Sequence, residues 1–276
     1  MVFSLACKCQ DKKNSGEERN IAVFTHVFFW YRKRGFLTLF FHPVYPYSPG
    51  MRNGFFASLS LYPWRHLCIS LAPLAISLIL LATLIGTGET LVLYFREMRM
   101  QDIGLTNAMY FVSHTGRYFL YAIYAALFIN AIYKRDGIQI KRVLVFSIVQ
   151  ICIAALFVQC IKIVVGIPRP LLALDIDNPS RMPFSFNSQY HSFPSGHTTE
   201  MVSASGTLAA WFQSPAFSCI MGILIALMGI SRIYLSQHRL SEVVAGMVLG
   251  ATASLLIHFF CSREYSYDYP FRSLSR

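Results

Sequence analysis

The sequence predicts an all-α membrane protein, a bundle of six transmembrane helices. Hydrophobic residues make up 55% of the 276 residues, only 13% are charged, and the mean hydropathy is +0.47. A soluble domain carries about 25% charged residues, so this composition favours an integral membrane protein. The apolar residues also fall in runs close to the ~20 residues that a helix needs to cross a bilayer.

Six such runs are predicted as spans because each is mostly apolar over a helical length. They cover residues 67–85, 109–133, 143–165, 198–212, 216–235 and 243–261, with the first open to extension as far as Phe95. The second run carries His114 and Arg117 in its first half, and the fourth is short.

The basic residues predict the orientation of the bundle. The stretch YKRDGIQIKR between the second and third spans holds Lys134, Arg135, Lys141 and Arg142. Cytoplasmic loops carry an excess of Lys and Arg, so this loop and both termini are expected inside. The net charge of +11 is not concentrated in a nucleic-acid-binding motif, so anionic lipid is the expected partner and nucleic acid is not.

Residues 1–66 are set apart from the six-span core at 67–261 and from a cytoplasmic tail at 262–276. They combine a polar stretch with aromatic segments that are too short to span, which favours an interfacial amphipathic segment. A true translation start at Met51 is the alternative. Cys7 and Cys9 form an isolated C-x-C without a second pair at zinc spacing, so we expect no metal site there.

Polar groups interrupt the apolar runs at three places, and the first is KIVVGIPRP. Lys162 lies near the end of the third span, and Arg169 follows seven residues later. A cation inside a span costs about 2.5–3.5 kcal/mol, so such charges usually face a partner or a cavity. Pro168 and Pro170 should end the helix near Gly166 and carry Arg169 into the mouth of the bundle.

The second place is HSFPSGHTTE, residues 191–200. Pro194 and Gly196 are typical of a turn, and Ser195 is a good N-cap for the helix that follows. The free N–H groups at a helix start bind anions. His197 would lie in the first turn, where it could give or take a proton near pH 7.

The third place is SRIYLSQHRLSE, at the end of the fifth span. Arg232 closes that span, His238 follows in the connection, and Glu242 comes four residues later. A carboxylate on the same helical face would fix one ring nitrogen of the histidine and free the other as a nucleophile or base. In the predicted orientation all three clusters lie at the outer boundary of the membrane, where they would form a site for a phosphate dianion and phosphoryl transfer.

Together the three stretches resemble the type 2 phosphatidic acid phosphatase family, which shares its core with vanadium-dependent haloperoxidases. The family pattern is K-x6-RP, then PSGH, then SR-x5-H-x3-D. This chain has Lys162 to Arg169-Pro170, then Pro194-Ser195-Gly196-His197, then Ser231-Arg232 to His238 with Glu242. The resemblance covers about residues 67–261. Glu242 stands where the family has aspartate, which keeps the charge and adds about 1.5 Å of reach.

The resemblance implies a role for each matching residue. His238 would be the nucleophile that forms a phosphohistidine, Glu242 would orient it, and His197 would be the general acid and later the base. The phosphate-binding set would be Lys162, Arg169, Ser195, Gly196 and Arg232. These cations would neutralise the phosphate oxygens, so neither a metal nor another cofactor is expected.

The implied function is that of an integral membrane lipid phosphatase, acting on a phosphate monoester or diphosphate at the outer face. Phosphatidic acid, phosphatidylglycerophosphate, undecaprenyl diphosphate and a lipid A phosphate all stay open as substrates. The expected location is a bacterial inner membrane with the site facing the periplasm. The alternatives are a lipid phosphotransferase with the same site, a vanadate-dependent haloperoxidase, and a non-catalytic membrane protein.

For four further polar residues two interpretations stay open. His191 could bind substrate or be structural, and for Glu200 solvation or packing on a helix face is preferred. His114 and Arg117 could touch a lipid headgroup or anchor the helix at the interface. GMVLG at 246–250 is interpreted as small residues that pack within the bundle.

Overall fold

The computed structural model describes residues 64–175 and 180–262, and within these residues the chain is helical with no β-strand. The predicted all-α class is therefore confirmed. Residues 1–63 and the tail after residue 262 lie outside the described residues, as do Cys7 and Cys9. The predictions made for them stay predictions.

The helices follow one another with short connections. They are α1 (Trp64–Leu84), α2 (Glu89–Gln101), α3 (Ile103–Lys134), α4 (Gly137–Val149), a π-helical segment (Gln150–Phe157), α5 (Val158–Val165), α6 (Pro170–Asp175), a 3₁₀ turn (Ser188–Tyr190), α7 (Gly196–Phe212), α8 (Pro215–Tyr234) and α9 (Leu240–Ser262). The helix that starts α4 continues without a break through the π-helical segment into α5.

Four stretches in the described part of the chain are long and apolar enough to cross a membrane. They are Trp64–Leu84, Gly137–Leu172, Pro215–Tyr234 and Leu240–Cys261, and they match the first, third, fifth and sixth predicted spans. The second and fourth predicted spans are helical as α3 and α7, but α3 is more polar and α7 has only 17 residues. The six-span count therefore stays a prediction.

Helix α7 is polar because protein surrounds it. Thirteen of its 17 residues are buried, and it packs against α1, α3, α8 and α9. Many of its buried side chains are small or carry a hydroxyl, and such residues let neighbouring helices approach closely. A helix shielded from lipid in this way does not need the apolar surface by which a span is recognised in a sequence.

Two glycines of α9 bring it into close contact with α7. A Cβ atom at Gly246 would lie 2.5 Å from the carbonyl oxygen of Ser195, and one at Gly250 would lie 2.6 Å from that of Thr199. The packing role predicted for GMVLG is thus confirmed. The contact holds the start of α9, which carries Glu242, against the start of α7.

The possible extension of the first span to Phe95 is wrong. Helix α1 ends at Leu84, and the chain turns through Gly86 and Gly88 before α2 begins at Glu89. These glycines have φ angles of 112° and 64°, a backbone conformation that glycine adopts at little cost. The turn separates two helices that hydropathy alone joins.

Candidate active site

The end of α5 positions the first predicted cluster. Gly166 takes a left-handed conformation with φ 56°, and its N–H donates to the carbonyl oxygen of Lys162 at 3.0 Å. The helix end predicted near Gly166 is confirmed. The chain then leaves the helix, and the N–H of Arg169 donates to the carbonyl oxygen of Gln189 at 2.8 Å. The Nε–H of Arg169 donates to the carbonyl oxygen of Ser188 at 2.9 Å, which fixes the direction of its side chain.

The start of α7 carries the second cluster. Ser195 is the N-cap as predicted, but its buried hydroxyl pairs with the hydroxyl of Thr198 at 2.9 Å. The N–H of Ser195 donates to the backbone carbonyl of Glu242 at 3.0 Å, which ties α7 to α9. A Cβ atom at Gly196 would lie 3.3 Å from Nζ of Lys162, so this ammonium group lies beside the first residue of α7.

His238 lies in the connection between α8 and α9 and is 2% exposed. Its Nδ1 is 2.6 Å from the carbonyl oxygen of Ser192. A carbonyl oxygen only accepts hydrogen bonds, so Nδ1 must carry the proton, and Nε2 keeps its lone pair. Burial, the largest cause, and the positive charge of Arg232 lower the pKa of His238 to about 4, although the hydrogen bond with Glu242 acts in the opposite direction. The ring is therefore neutral at pH 7.

Glu242 reaches the same ring nitrogen. Its Oε2 is 3.3 Å from Nδ1 of His238 and accepts hydrogen bonds from the hydroxyl of Ser192 and, at 2.9 Å, from the N–H of Arg239. Its Oε1 accepts from Nη1 of Arg239 at 3.3 Å. The predicted pairing of His238 with Glu242 is present. Sequence reasoning missed Ser192, which lies outside the three motifs and carries no signal of its own.

The three predicted cations come together. The charges of Arg169 and Arg232 both act on Lys162. Each arginine is held by a side chain that the motifs do not contain: Arg169 donates to the amide oxygen of Gln237, and Arg232 donates to the hydroxyl of Ser113 on α3. Because these partners are neutral, the guanidinium charges stay available for an anion.

A cavity of about 290 Å³ opens beside Arg169 and Arg232, while Lys162 is not part of its lining. Its lining consists of Tyr110, His114, Arg117, Arg169, His197, Arg232, Leu235 and Gln237. Three predicted site residues, Arg169, His197 and Arg232, thus face one space. Gln237, the residue before His238, lines the same cavity. The residues that the structure describes contain no cluster of three or more His, Cys, Asp or Glu side chains able to hold a metal ion.

His191 and Glu200 prove to be parts of the framework. Nε2 of His191 is 2.8 Å from the carbonyl oxygen of Ser185, and its Nδ1 is 3.3 Å from Nε2 of Gln159. With both ring nitrogens occupied, the structural interpretation of His191 is favoured. Glu200 is not on an open helix face, because its carboxylate lies 3.6 Å from Nη1 of Arg117.

The apolar helices indicate an integral membrane protein, and Arg169 and Arg232 line one cavity in it. Residues 143–265 match the family model of the PAP2 superfamily. The matched region contains all three motifs, so the resemblance that they carry is confirmed over these residues.

Curated proteins with similar sequences are phosphatases by name. A lipid A 1-phosphatase from Rhizobium johnstonii is 28% identical over 123 residues, which are 45% of this chain and 50% of the relative. An undecaprenyl-diphosphatase from Sulfolobus acidocaldarius is 28% identical over 164 residues, 59% of this chain and 74% of the relative. A lipid A 1-phosphatase from Rhizobium etli is 26% identical over 123 residues, 45% of this chain and 52% of the relative. The chain thus spans about half the length of the two lipid A 1-phosphatases, and no solved structure matches it.

Proposed function

We propose that the protein is an integral membrane lipid phosphatase that hydrolyses a phosphate monoester or diphosphate through a phosphohistidine at His238. The observation that carries this proposal is the 2.6 Å contact between Nδ1 of His238 and the carbonyl of Ser192. The contact leaves a neutral ring with a lone pair on Nε2, which is the form that attacks phosphorus. The names of the relatives, lipid A 1-phosphatase and undecaprenyl-diphosphatase, support a lipid substrate.

In the first step Nε2 of His238 forms a bond to phosphorus, and the bond from phosphorus to the leaving oxygen breaks. The electron pair of that bond goes to the leaving oxygen, which takes a proton from His197 when it departs as an alcohol. The cation that forms on the ring of His238 is stabilised by the carboxylate of Glu242, 3.3 Å from Nδ1.

In the second step a water molecule attacks the phosphohistidine. His197 takes a proton from the water, a bond forms from the water oxygen to phosphorus, and the bond to Nε2 breaks. Inorganic phosphate leaves, His238 regains its lone pair, and His197 is again protonated for the next cycle. The same residue thus acts as acid and then as base.

The charge on the phosphoryl oxygens would be neutralised by Lys162, Arg169 and Arg232. Fixed donors that are already in place cost no reorganisation in the transition state, and this is the usual role of such cations in phosphoryl transfer. We therefore propose a reaction that needs no metal ion. Gly196 would add its backbone N–H at the start of α7.

We place the site at the outer boundary of a bacterial inner membrane. The apolar helices support membrane insertion, and the basic loop between α3 and α4 supports an inside location for the opposite end of the bundle. A lipid could then keep its tail in the bilayer while its phosphate reaches the cations.

The test is phosphate release by the purified full-length protein in detergent. The substrates are phosphatidic acid, phosphatidylglycerophosphate, undecaprenyl diphosphate and a lipid A phosphate. We expect release from at least one of them, unchanged by EDTA and blocked by vanadate, with a labelled phosphohistidine that is absent from His238→Ala. Normal turnover by His238→Ala would refute the nucleophile, and activity lost in EDTA and restored by Mg²⁺ would refute the metal-free reaction.

A further inference from the structure

We propose that Arg117 binds the phosphate of the leaving group, so that the preferred substrate is a lipid diphosphate. The inference rests on the proposed phosphohistidine chemistry and deepens it by naming the substrate class. Arg117 lies on α3, outside the three motifs and outside the matched region 143–265.

One face of α3 forms a wall of the cavity. Tyr110, His114 and Arg117 all line it, and their spacing of four and three residues places them on the same side of the helix. The rings of Tyr110 and His114 are stacked with their centroids 6.4 Å apart. This wall therefore presents polar groups and a cation to the same space that His197 and Arg232 face.

Arg117 keeps donors for a further anion. Its Nη1 is 3.6 Å from the carboxylate of Glu200, which is an ion pair but too long for a good hydrogen bond. Its Nε–H is buried and has no hydrogen-bond acceptor among the described residues, and the same holds for the Nε–H of Arg232. Arg117 and Arg232 both line the cavity, so the two guanidinium charges favour an anion that binds between them.

The position of Arg117 indicates which end of the substrate it serves. Arg117 and His197 line the same cavity, together with Arg232. His197 is the group proposed to protonate the leaving oxygen, so Arg117 lies on the side from which the leaving group departs. An alcohol leaving from a monoester needs a proton there, whereas a phosphate leaving from a diphosphate needs a positive charge.

The reaction on a lipid diphosphate balances without a further reactant. Nε2 of His238 bonds to the terminal phosphorus, and the bond from that phosphorus to the bridging oxygen breaks. The electron pair stays on the bridging oxygen, which departs as part of the lipid monophosphate and is held by Arg117. Water then releases inorganic phosphate from His238, as in the monoester reaction.

The test compares phosphatidic acid with diacylglycerol diphosphate that has the same acyl chains. Wild type is expected to have the higher kcat/KM on the diphosphate. Arg117→Gln should lower kcat/KM on the diphosphate about 10- to 100-fold, the range for one lost charge-assisted hydrogen bond, and on the monoester about threefold or less. The matched control is Arg181→Gln, which removes an exposed arginine of the segment between α6 and the 3₁₀ turn.

A second variant separates the loss of phosphate binding from a loss of stability. Arg117→Gln alone leaves the partly buried Glu200 without its cation, which is destabilising. The double variant Arg117→Gln, Glu200→Gln removes both charges and should show the same selective loss on the diphosphate. Equal losses on both substrates, or a wild-type preference for the monoester, would overturn the role of Arg117 and leave the proposed phosphatase standing.

A binding measurement separates the two proposals. Methylenediphosphonate should raise the Tm of wild type in detergent more than methylphosphonate does, and Arg117→Gln should lose this difference. If wild type releases phosphate from neither these two lipids nor any other lipid of the panel, the proposed function fails. The Tm difference then still decides whether Arg117 binds a second phosphate, and equal shifts by the two phosphonates would refute it.

Discussion

The carbonyl oxygen of Ser192 lies closer to Nδ1 of His238, at 2.6 Å, than the carboxylate of Glu242 does, at 3.3 Å. The backbone therefore holds the ring of His238 in one tautomer together with the carboxylate. We propose that this contact allows glutamate to stand where the family pattern has aspartate. We therefore expect the carboxylate to be needed for its charge more than for the direction of the ring.

Replacing Glu242 with glutamine tests whether the carboxylate supplies charge while the Ser192 carbonyl fixes the tautomer. In the serine protease triad, exchanging the carboxylate for an amide lowers kcat about 10⁴-fold because the tautomer is wrong. We expect Glu242→Gln to lower kcat only about 10²-fold, since the Ser192 carbonyl still fixes the proton on Nδ1 and only the charge is lost. The measurement is kcat in detergent on the best substrate of the lipid panel.

Ser192→Ala is the control for this prediction. It removes the hydroxyl that donates to Glu242 but keeps the carbonyl, so a loss below about tenfold is expected. A fall of 10⁴-fold or more in Glu242→Gln would show that the carboxylate alone sets the tautomer.

The protonation state of His238 can be observed directly. With its pKa lowered to about 4 by burial, the ring should be neutral at pH 6, where an exposed histidine with a pKa near 6.5 is mostly protonated. ¹⁵N NMR of histidine-labelled protein in detergent should show the proton on Nδ1 of His238, with His238→Gln providing the assignment. Resonances of a charged ring at pH 6 would contradict the prediction.

The same lowered pKa makes stability depend on pH. Between pH 6.5 and about 4 the unfolded chain binds a proton at His238 that the folded protein does not bind, so the free energy of unfolding falls as the pH drops through this window. Above pH 6.5 His238 is neutral in both the folded and the unfolded chain, so it does not make the free energy of unfolding depend on pH. Tm measured from pH 7 to pH 4 should fall more steeply for wild type than for His238→Gln, and parallel curves would speak against the burial of a neutral ring.

The contact between α7 and α9 should be needed for the geometry of the site. Gly246→Ala places a Cβ atom 2.5 Å from the carbonyl oxygen of Ser195, so α9 must move away from α7. A shift near 1 Å can cost about 10² in rate, and we expect a loss of that order with a lower Tm. Gly137→Ala is the matched control, because a Cβ atom there meets no atom within 4 Å. A fully active Gly246→Ala would show that the site tolerates this movement.

The orientation of the chain is open to a reporter assay. A topology reporter fused after Arg181 should read outside the cytoplasm, and one fused after Arg135 should read inside, because the basic loop that begins there is expected to stay in the cytoplasm. Insertion at Arg181 is expected to be tolerated since the residue is exposed. A cytoplasmic reading at Arg181 would reverse the proposed orientation.

Much of the site could be predicted from the sequence because its residues sit in short motifs. Lys162 and Arg169 lie on either side of one helix end, and Ser195 to His197 form one helix start. His238 and Glu242 are one helical turn apart. Local rules of helix capping and spacing therefore fix their relative positions. The sequence also predicts four of the helical stretches, because runs of apolar residues define them: α1, α4 to α5, α8 and α9.

The sequence alone thus determined the class of the protein and predicted the members of the proposed catalytic motifs, because both depend on composition and on neighbours along the chain. Only the tertiary structure decided the contacts between distant segments. It brought the carbonyl of Ser192 onto His238, placed Arg117 of α3 in the wall of the cavity, and enclosed the polar α7 between other helices. These contacts depend on which helix faces pack together, and no local pattern in the sequence records that choice.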